Sequence, residues 1–218
     1  MSKCRWLGGN VKLFSAVTVS LLLAACVTTI PFKPAFDEPP LATRIHARVG
    51  SACRIPIHAA DYAETPGGGG IAKVDFDQAS LSRFAQVFDS LFTEVTPLAP
   101  WPPWRESPPD LDAVIELDEA DLKLSLGDDM NRNPEHVAVR YRVCLYTPDG
   151  TTINCWETQA EQIHQRQPFE RSLSLTSYLG TLVETASREA MARFMLAFEA
   201  DPAVKVWVDH LARRQEEP

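Results

Sequence analysis

Hydrophobic and polar positions along this chain change their period several times, and each change predicts an element. From Ile45 the apolar residues alternate: Ile45, Ala47, Val49, Cys53, Ile55 and Ile57 share one parity, and His46, Arg48 and Arg54 take the other. A period of two predicts a half-buried strand, which Pro56 should end. Past a glycine-rich stretch the period becomes helical. Asp77 suits an N-cap, Leu81, Phe84, Phe88, Leu91 and Phe92 fall on one stripe, and Phe76 with Leu81 is placed to staple across the cap. The proline-rich run from Pro97 to Pro109, which carries Trp101 and Trp104, can be neither helix nor inner strand.

Leu111 to Leu126 reads as one long strand whose apolar parity shifts, from Leu111, Ala113, Ile115 and Leu117 to Ala120, Leu122, Leu124 and Leu126. One extra residue near Asp118-Glu119 would produce that shift, so a β-bulge is expected there, with a break into two strands as the alternative. Val137 to Tyr146 alternates again, and Pro148-Asp149-Gly150 turns the chain back into a strand over Thr151 to Ile163. The chain then turns helical once more. Ser174 or Thr176 can cap a long helix with Tyr178, Leu179, Leu182, Val183, Ala186, Ala190, Phe194 and Phe198 inward, and Asp201-Pro202 ends it and starts a last amphipathic helix through Val204, Trp207, Val208 and Leu211. The order of elements predicts an α+β domain: a mainly antiparallel sheet of about four strands with two main helices packed on one face.

The first residues read differently. Lys3, Arg5 and Lys12 precede an uncharged apolar run, Leu13 to Ala25, and together they have the layout of a secretory signal. The run is short of the roughly 20 apolar residues that span a bilayer. It closes on Leu23-Ala24-Ala25-Cys26, which resembles the lipobox of bacterial lipoproteins; an ordinary signal peptide with a cysteine near its end is the alternative. The resemblance implies cleavage before Cys26, lipidation of its sulfur, and stable attachment through several acyl chains. With Val27 next, the sorting habit of that family implies the periplasmic face of the outer membrane. The expected organisation is a signal over residues 1–25, a tether over 26–40 and one domain over 41–218. At about 3.1 Å per residue, the proline-spaced tether would hold the domain roughly 40 Å from the lipid.

Charge and cysteines narrow the picture. The whole chain carries −8; without the three leader cations the mature part is near −11, which argues against nucleic acid and against a polybasic membrane patch. Cys53, Cys144 and Cys155 remain in a compartment where disulfides persist, and no CxxC suggests a metal or thioredoxin-like site. A two-residue Asp149-Gly150 loop would set Cys144 opposite Cys155. A type I turn with Pro148 second and Gly150 left-handed sets Val143 there instead and pairs Leu145 with Ile153. The second register is preferred, and it leaves a Cys53–Cys155 bridge as the candidate.

Signatures of catalysis are weak. GxSxG, HExxH and SxxK do not occur, and His46, His58, His136, His164 and His210 stand apart. His58 with Asp61 reads as a solvated loop, and the four glycines from Gly67 lack the lysine and hydroxyl of a phosphate cradle. Asp118, Glu119 and Asp121 suit an exposed strand edge. No enzyme activity, cofactor or metal is expected.

From Pro109-Asp110-Leu111 through the hairpin to the terminal helix, the pattern over roughly residues 41 to 200 resembles small envelope lipoproteins that serve as auxiliary subunits of lipid-transport or outer-membrane assembly machines. The Trp101/Trp104 loop and the short final helix have no counterpart in that resemblance. It implies a non-catalytic, lipid-anchored periplasmic protein with an envelope partner, gripped by a sheet edge. Trp101 and Trp104, read from the residues themselves, either fold back onto the domain or form a second contact surface for that partner. The alternative is a carrier of an apolar ligand between sheet and helices.

Overall fold

A computed structural model describes residues 27–30, 44–53, 62–64, 71–74, 76–98, 110–125, 134–165 and 175–216. In chain order the elements are β1 (Val27–Ile30), β2 (Ile45–Cys53), β3 (Tyr62–Glu64), β4 (Ile71–Val74), α1 (Phe76–Leu91), β5 (Phe92–Pro97), β6 (Ala113–Ser125), β7 (Glu135–Tyr146), β8 (Thr152–His164), α2 (Leu175–Ala200) and α3 (Pro202–Glu216). Five strands form the main sheet in the order β5-β2-β6-β7-β8, and three form a small one in the order β1-β4-β3.

The class is the expected α+β, with more strands and a mixed sheet. β2 runs parallel to both β5 and β6, whereas β6, β7 and β8 are antiparallel. Phe92 begins β5 directly after α1. Its spacing from Phe88 makes it look like one more residue of the helical stripe, and only the pairing of β5 with β2 reveals the strand. Lying between two parallel neighbours, β2 is buried on both faces past Arg48: Val49 points to one side, Gly50 and Ala52 to the other. An inner parallel strand does this, and strict alternation fades. Val27–Ile30, expected as the start of the tether, pairs residue for residue with Ile71–Val74.

The three described helices all cover one face of the main sheet. Ala47, Val49, Ala113, Ile115, Leu117, Ala120, Leu122, Val137, Val139, Tyr141, Val143 and Leu145 meet Phe84, Val87, Phe88 and Leu91 of α1. Leu179, Val183, Ala186, Ala190, Phe194 and Phe198 of α2 and Val204, Trp207 and Leu211 of α3 join the same core. The helical stripes are thus the ones that the 3.6-residue period marks. The expected bulge in β6 is also there: Leu117 pairs with Val143 and Glu119 with Arg142, leaving Asp118 as the extra residue. It keeps Ile115 and Leu117 on the same face as Ala120 and Leu122.

Tyr141 ties the layers together. Its ring stacks on Phe76 with centroids 5.9 Å apart and meets Phe84 edge-on at 4.9 Å. Its buried hydroxyl bonds Ser187 Oγ of α2 at 2.5 Å and Ser80 Oγ of α1 at 3.3 Å. At the other end of α2, Asp201 Oδ1 accepts the Ala203 N–H at 2.7 Å, the N-cap geometry that the Asp-Pro pair predicts.

The β7–β8 hairpin corrects the cysteine pairing. Its turn is the preferred one: Gly150 donates its N–H to the Thr147 carbonyl at 2.9 Å, Pro148 is the second residue, and Gly150 has φ 93°. Tyr146 therefore pairs with Thr152. A second irregularity follows at once, because Leu145 pairs with Asn154 and Ile153 is skipped, which advances the register by one. Cys144 then lies opposite Cys155, not Val143, and the two form a disulfide with Cα atoms 4.1 Å apart. Cys53–Cys155 is ruled out on two counts. Cys53 packs against the helix-side core whereas Cys155 is on the other face, and β6 and β7 intervene, so three strand spacings of about 4.8 Å separate them.

Candidate functional site

Of the residues that the sequence singles out for function, Cys26, Trp101 and Trp104 lie outside the described residues, as do His58, Asp61 and the glycines from Gly67. The attachment of the tryptophan-bearing segment is nevertheless defined at both ends. Leu98 donates its N–H to the Ser51 carbonyl at 2.8 Å, and Asp112 donates to the Arg48 carbonyl at 2.8 Å. Leu98 also packs against Ala52, Leu111 and Val114, a small apolar cluster on the face that the helices leave open. Gly50 makes this possible: a Cβ there would come within 2.5 Å of Leu98 Cδ1 and 2.9 Å of Leu111 Cδ1. Leu98 and Leu111, which flank the tryptophan-bearing segment, thus both pack on the face of β2 and β6 away from the helices.

A cleft of about 400 Å³ opens near the start of β2, lined by His46, Ala47, Arg48, Thr93, Asp112, Leu211 and Arg214. Local geometry creates it. β2 bulges between Ile45 and Arg48 against β5, and its pairing with β6 begins only at Val49. Thr93 Oγ1 donates to the Ala47 carbonyl across the bulge at 3.3 Å. Asp112 Oδ2 accepts the Arg48 N–H at 2.9 Å, while its Oδ1 stands 3.6 Å from the Arg214 guanidinium and Asp110 stands 3.6 Å from that of Arg48. Both arginines are at least half exposed, and ion pairs of that kind contribute little to stability. Nothing local in the sequence unites these residues, because β2, β5 and α3 meet only in the folded chain.

The open face of the sheet is a lattice of opposite charges. Arg140 reaches Glu119 at 2.5 Å, Glu157 at 3.3 Å and Asp121 at 3.7 Å, and Arg142 meets Asp118 at 3.3 Å. The acidic set read as a bare strand edge therefore belongs to an inner strand, facing arginines on β7. His136 Nε2 lies 3.3 Å from Glu161 Oε2; this contact and the Gln159 amide hold the Glu161 carboxyl below the usual range. On the helix side, burial pulls the Arg83 guanidinium below its ordinary pKa, against the pull of Tyr141 and Glu184. Among the described residues no three His, Cys, Asp or Glu side chains group as a metal site. No described helix is long and apolar enough to cross a membrane.

Neither a family model nor a curated protein matches the sequence. Solved structures of similar arrangement include a Xanthomonas campestris protein of family DUF330, with 8% identity over 88% of this chain and 98% of that one at a TM-score of 0.45. A minor lipoprotein of Acinetobacter baumannii is 9% identical over 72% of this chain and 94% of its own, at 0.44. A Helicobacter pylori homologue of a neuraminyllactose-binding hemagglutinin is 9% identical over 79% and 97%, at 0.46. Likenesses at this level establish neither a common family nor a common activity.

Proposed function

We propose that this chain is a non-catalytic, lipid-anchored protein of the bacterial envelope, facing the periplasm from the outer membrane, where it serves as an auxiliary or assembly subunit of a larger complex. The observation that carries the compartment is the Cys144–Cys155 bridge: disulfides of this kind persist outside the reducing cytoplasm, and the bridge is independent of the signal-like residues at the start of the chain. The anchor rests on Cys26 in its lipobox-like context. Partner binding rests on Trp101 and Trp104, whose flanking residues Leu98 and Leu111 pack on the face of the sheet away from the helices; two indoles close together in sequence suit a protein contact. The apolar-carrier reading has less support. The layer between sheet and helices is filled by rings in contact, with Phe84–Tyr141, Trp156–Phe198 and Phe92–Trp207 centroids 4.9, 5.1 and 6.3 Å apart.

Two measurements test this. Mass spectrometry of the protein from membranes should find acyl chains on an N-terminal Cys26, absent from Cys26→Ala. Co-purification should recover an envelope complex that the Trp101→Ala/Trp104→Ala double variant loses; undiminished recovery would remove the tryptophans from the interface.

A further inference from the structure

We infer that the small sheet β1-β4-β3 stands directly on the bilayer, so that the lipid surface itself is the contact partner of one end of this sheet. The inference rests on the proposed acylation of Cys26 and specifies its geometry. Val27 is the next residue, and it is already a strand residue paired with Ile71. All four positions of β1 are in register with β4, from Val27–Ile71 to Ile30–Val74, and β1 also packs against α2. The Cα of Cys26 is therefore about 3.8 Å from a residue fixed in the fold. A free tether would begin where pairing ends, and here pairing begins at once.

Topology defines which end of the sheet meets the lipid. β1 and β4 are parallel, so Val27 and Ile71 lie side by side at the same end, and antiparallel β3 brings Glu64 opposite Ile71 to that end as well. From there β4 runs away from the anchor into Val74 and Phe76, both buried in the main core. Four residues at about 3.3 Å each make a strut of roughly 13 Å between the acylated end and that core. An extended, proline-spaced tether over residues 27–40 would instead hold the domain at about 40 Å. The placement fits the mature chain's negative charge, since the contact is made by covalent lipid and sheet end and requires no basic patch.

The test uses full-length protein reconstituted in vesicles whose lipids carry a quencher on the upper acyl chain. A fluorophore is attached at Glu64→Cys in a Cys53→Ser background, and a second version carries twelve Gly/Ser residues inserted between Cys26 and Val27. Such an insertion adds a root-mean-square reach of about 19 Å. The expected result is strong quenching of the label without the insertion and loss of most of it with the insertion. Acylated protein whose label is quenched weakly and equally in both versions overturns the placement and leaves the anchor intact. Protein recovered without acyl chains on Cys26 overturns the anchor, and the placement with it. Circular dichroism and the intact Cys144–Cys155 bridge establish that each version has folded.

Discussion

The indole Nε1 of Trp156 donates to Asp201 Oδ2 at 2.9 Å, so the residue that caps α3 is held by the edge strand β8. Asn154, two residues earlier on β8, donates to the same oxygen. One carboxylate thus fixes the corner between α2 and α3 to the sheet and begins the last helix, whose Trp207 meets Phe92 at 6.3 Å.

Asp201→Ala should destabilise the domain by about 2 kcal/mol, from the lost cap and the donors left without their acceptor. Asp201→Asn retains capping ability and should cost less. Burial pushes the Asp201 carboxyl up, but the Ala203 N–H, Asn154 and Trp156 outweigh it and leave the group below its ordinary pKa. A carboxylate depressed in the folded state stabilises above its unfolded pKa, and the contribution disappears as pH falls through the folded value. Urea midpoints measured from neutral to acid pH should fall more steeply in the natural chain than in Asp201→Asn.

Peptide mapping without reductant should link Cys144 to Cys155 and leave Cys53 outside the bridge. The double variant Cys144→Ala/Cys155→Ala should lose about 2–4 kcal/mol, as expected for opening a short closed loop. Thermal unfolding with and without reductant checks it, since reductant should lower the midpoint of the natural chain and leave that of the variant unchanged. A Cys53–Cys155 peptide would contradict the hairpin register.

Tyr141→Phe keeps the ring contacts and removes a hydroxyl that Ser187 and Ser80 engage in a buried setting. The loss should be about 1–2 kcal/mol, readable by denaturant titration. Burial raises the Tyr141 phenol above its ordinary pKa, against the smaller pull of Ser187, Ser80 and Arg83. A neutral phenol retained in the fold stabilises below the unfolded pKa and ceases to do so as pH rises toward the folded one. Alkaline unfolding should therefore begin at lower pH in the natural chain than loss of helix signal does in Tyr141→Phe, once the two are compared relative to their neutral-pH stability.

Gly50→Val should cost about 1–3 kcal/mol through overpacking, because its side chain must displace Leu98 and Leu111. Displacing Leu98 also releases one end of the segment bearing Trp101 and Trp104. Limited proteolysis should then cut between residues 99 and 109 faster than in the natural chain, whereas a merely global loss of stability would speed cutting at every site alike.

Much of the fold is legible in local pattern because its signals are local. The stripe from Phe84 to Leu91, the cap at Asp201 and the parity shift at Asp118 each need only a few neighbouring residues to be understood. β5 escapes that logic. Phe92 satisfies the helical spacing of α1, and only the parallel partner β2 makes it a strand. The cleft is beyond it too, since Arg48 of β2, Asp112 just before β6 and Arg214 of α3 come together from different parts of the chain.

By itself the sequence determined the class of the domain, the inward stripe of each main helix, the bulge in β6 and the turn at Pro148-Asp149-Gly150. Tertiary structure alone decided which cysteines pair, which strands are parallel, and that Val27–Ile30 joins a sheet. The physical reason is the period of two: skipping the single residue Ile153 turns a correct turn into the opposite cysteine pairing, and such one-residue shifts are chosen by packing across the whole sheet.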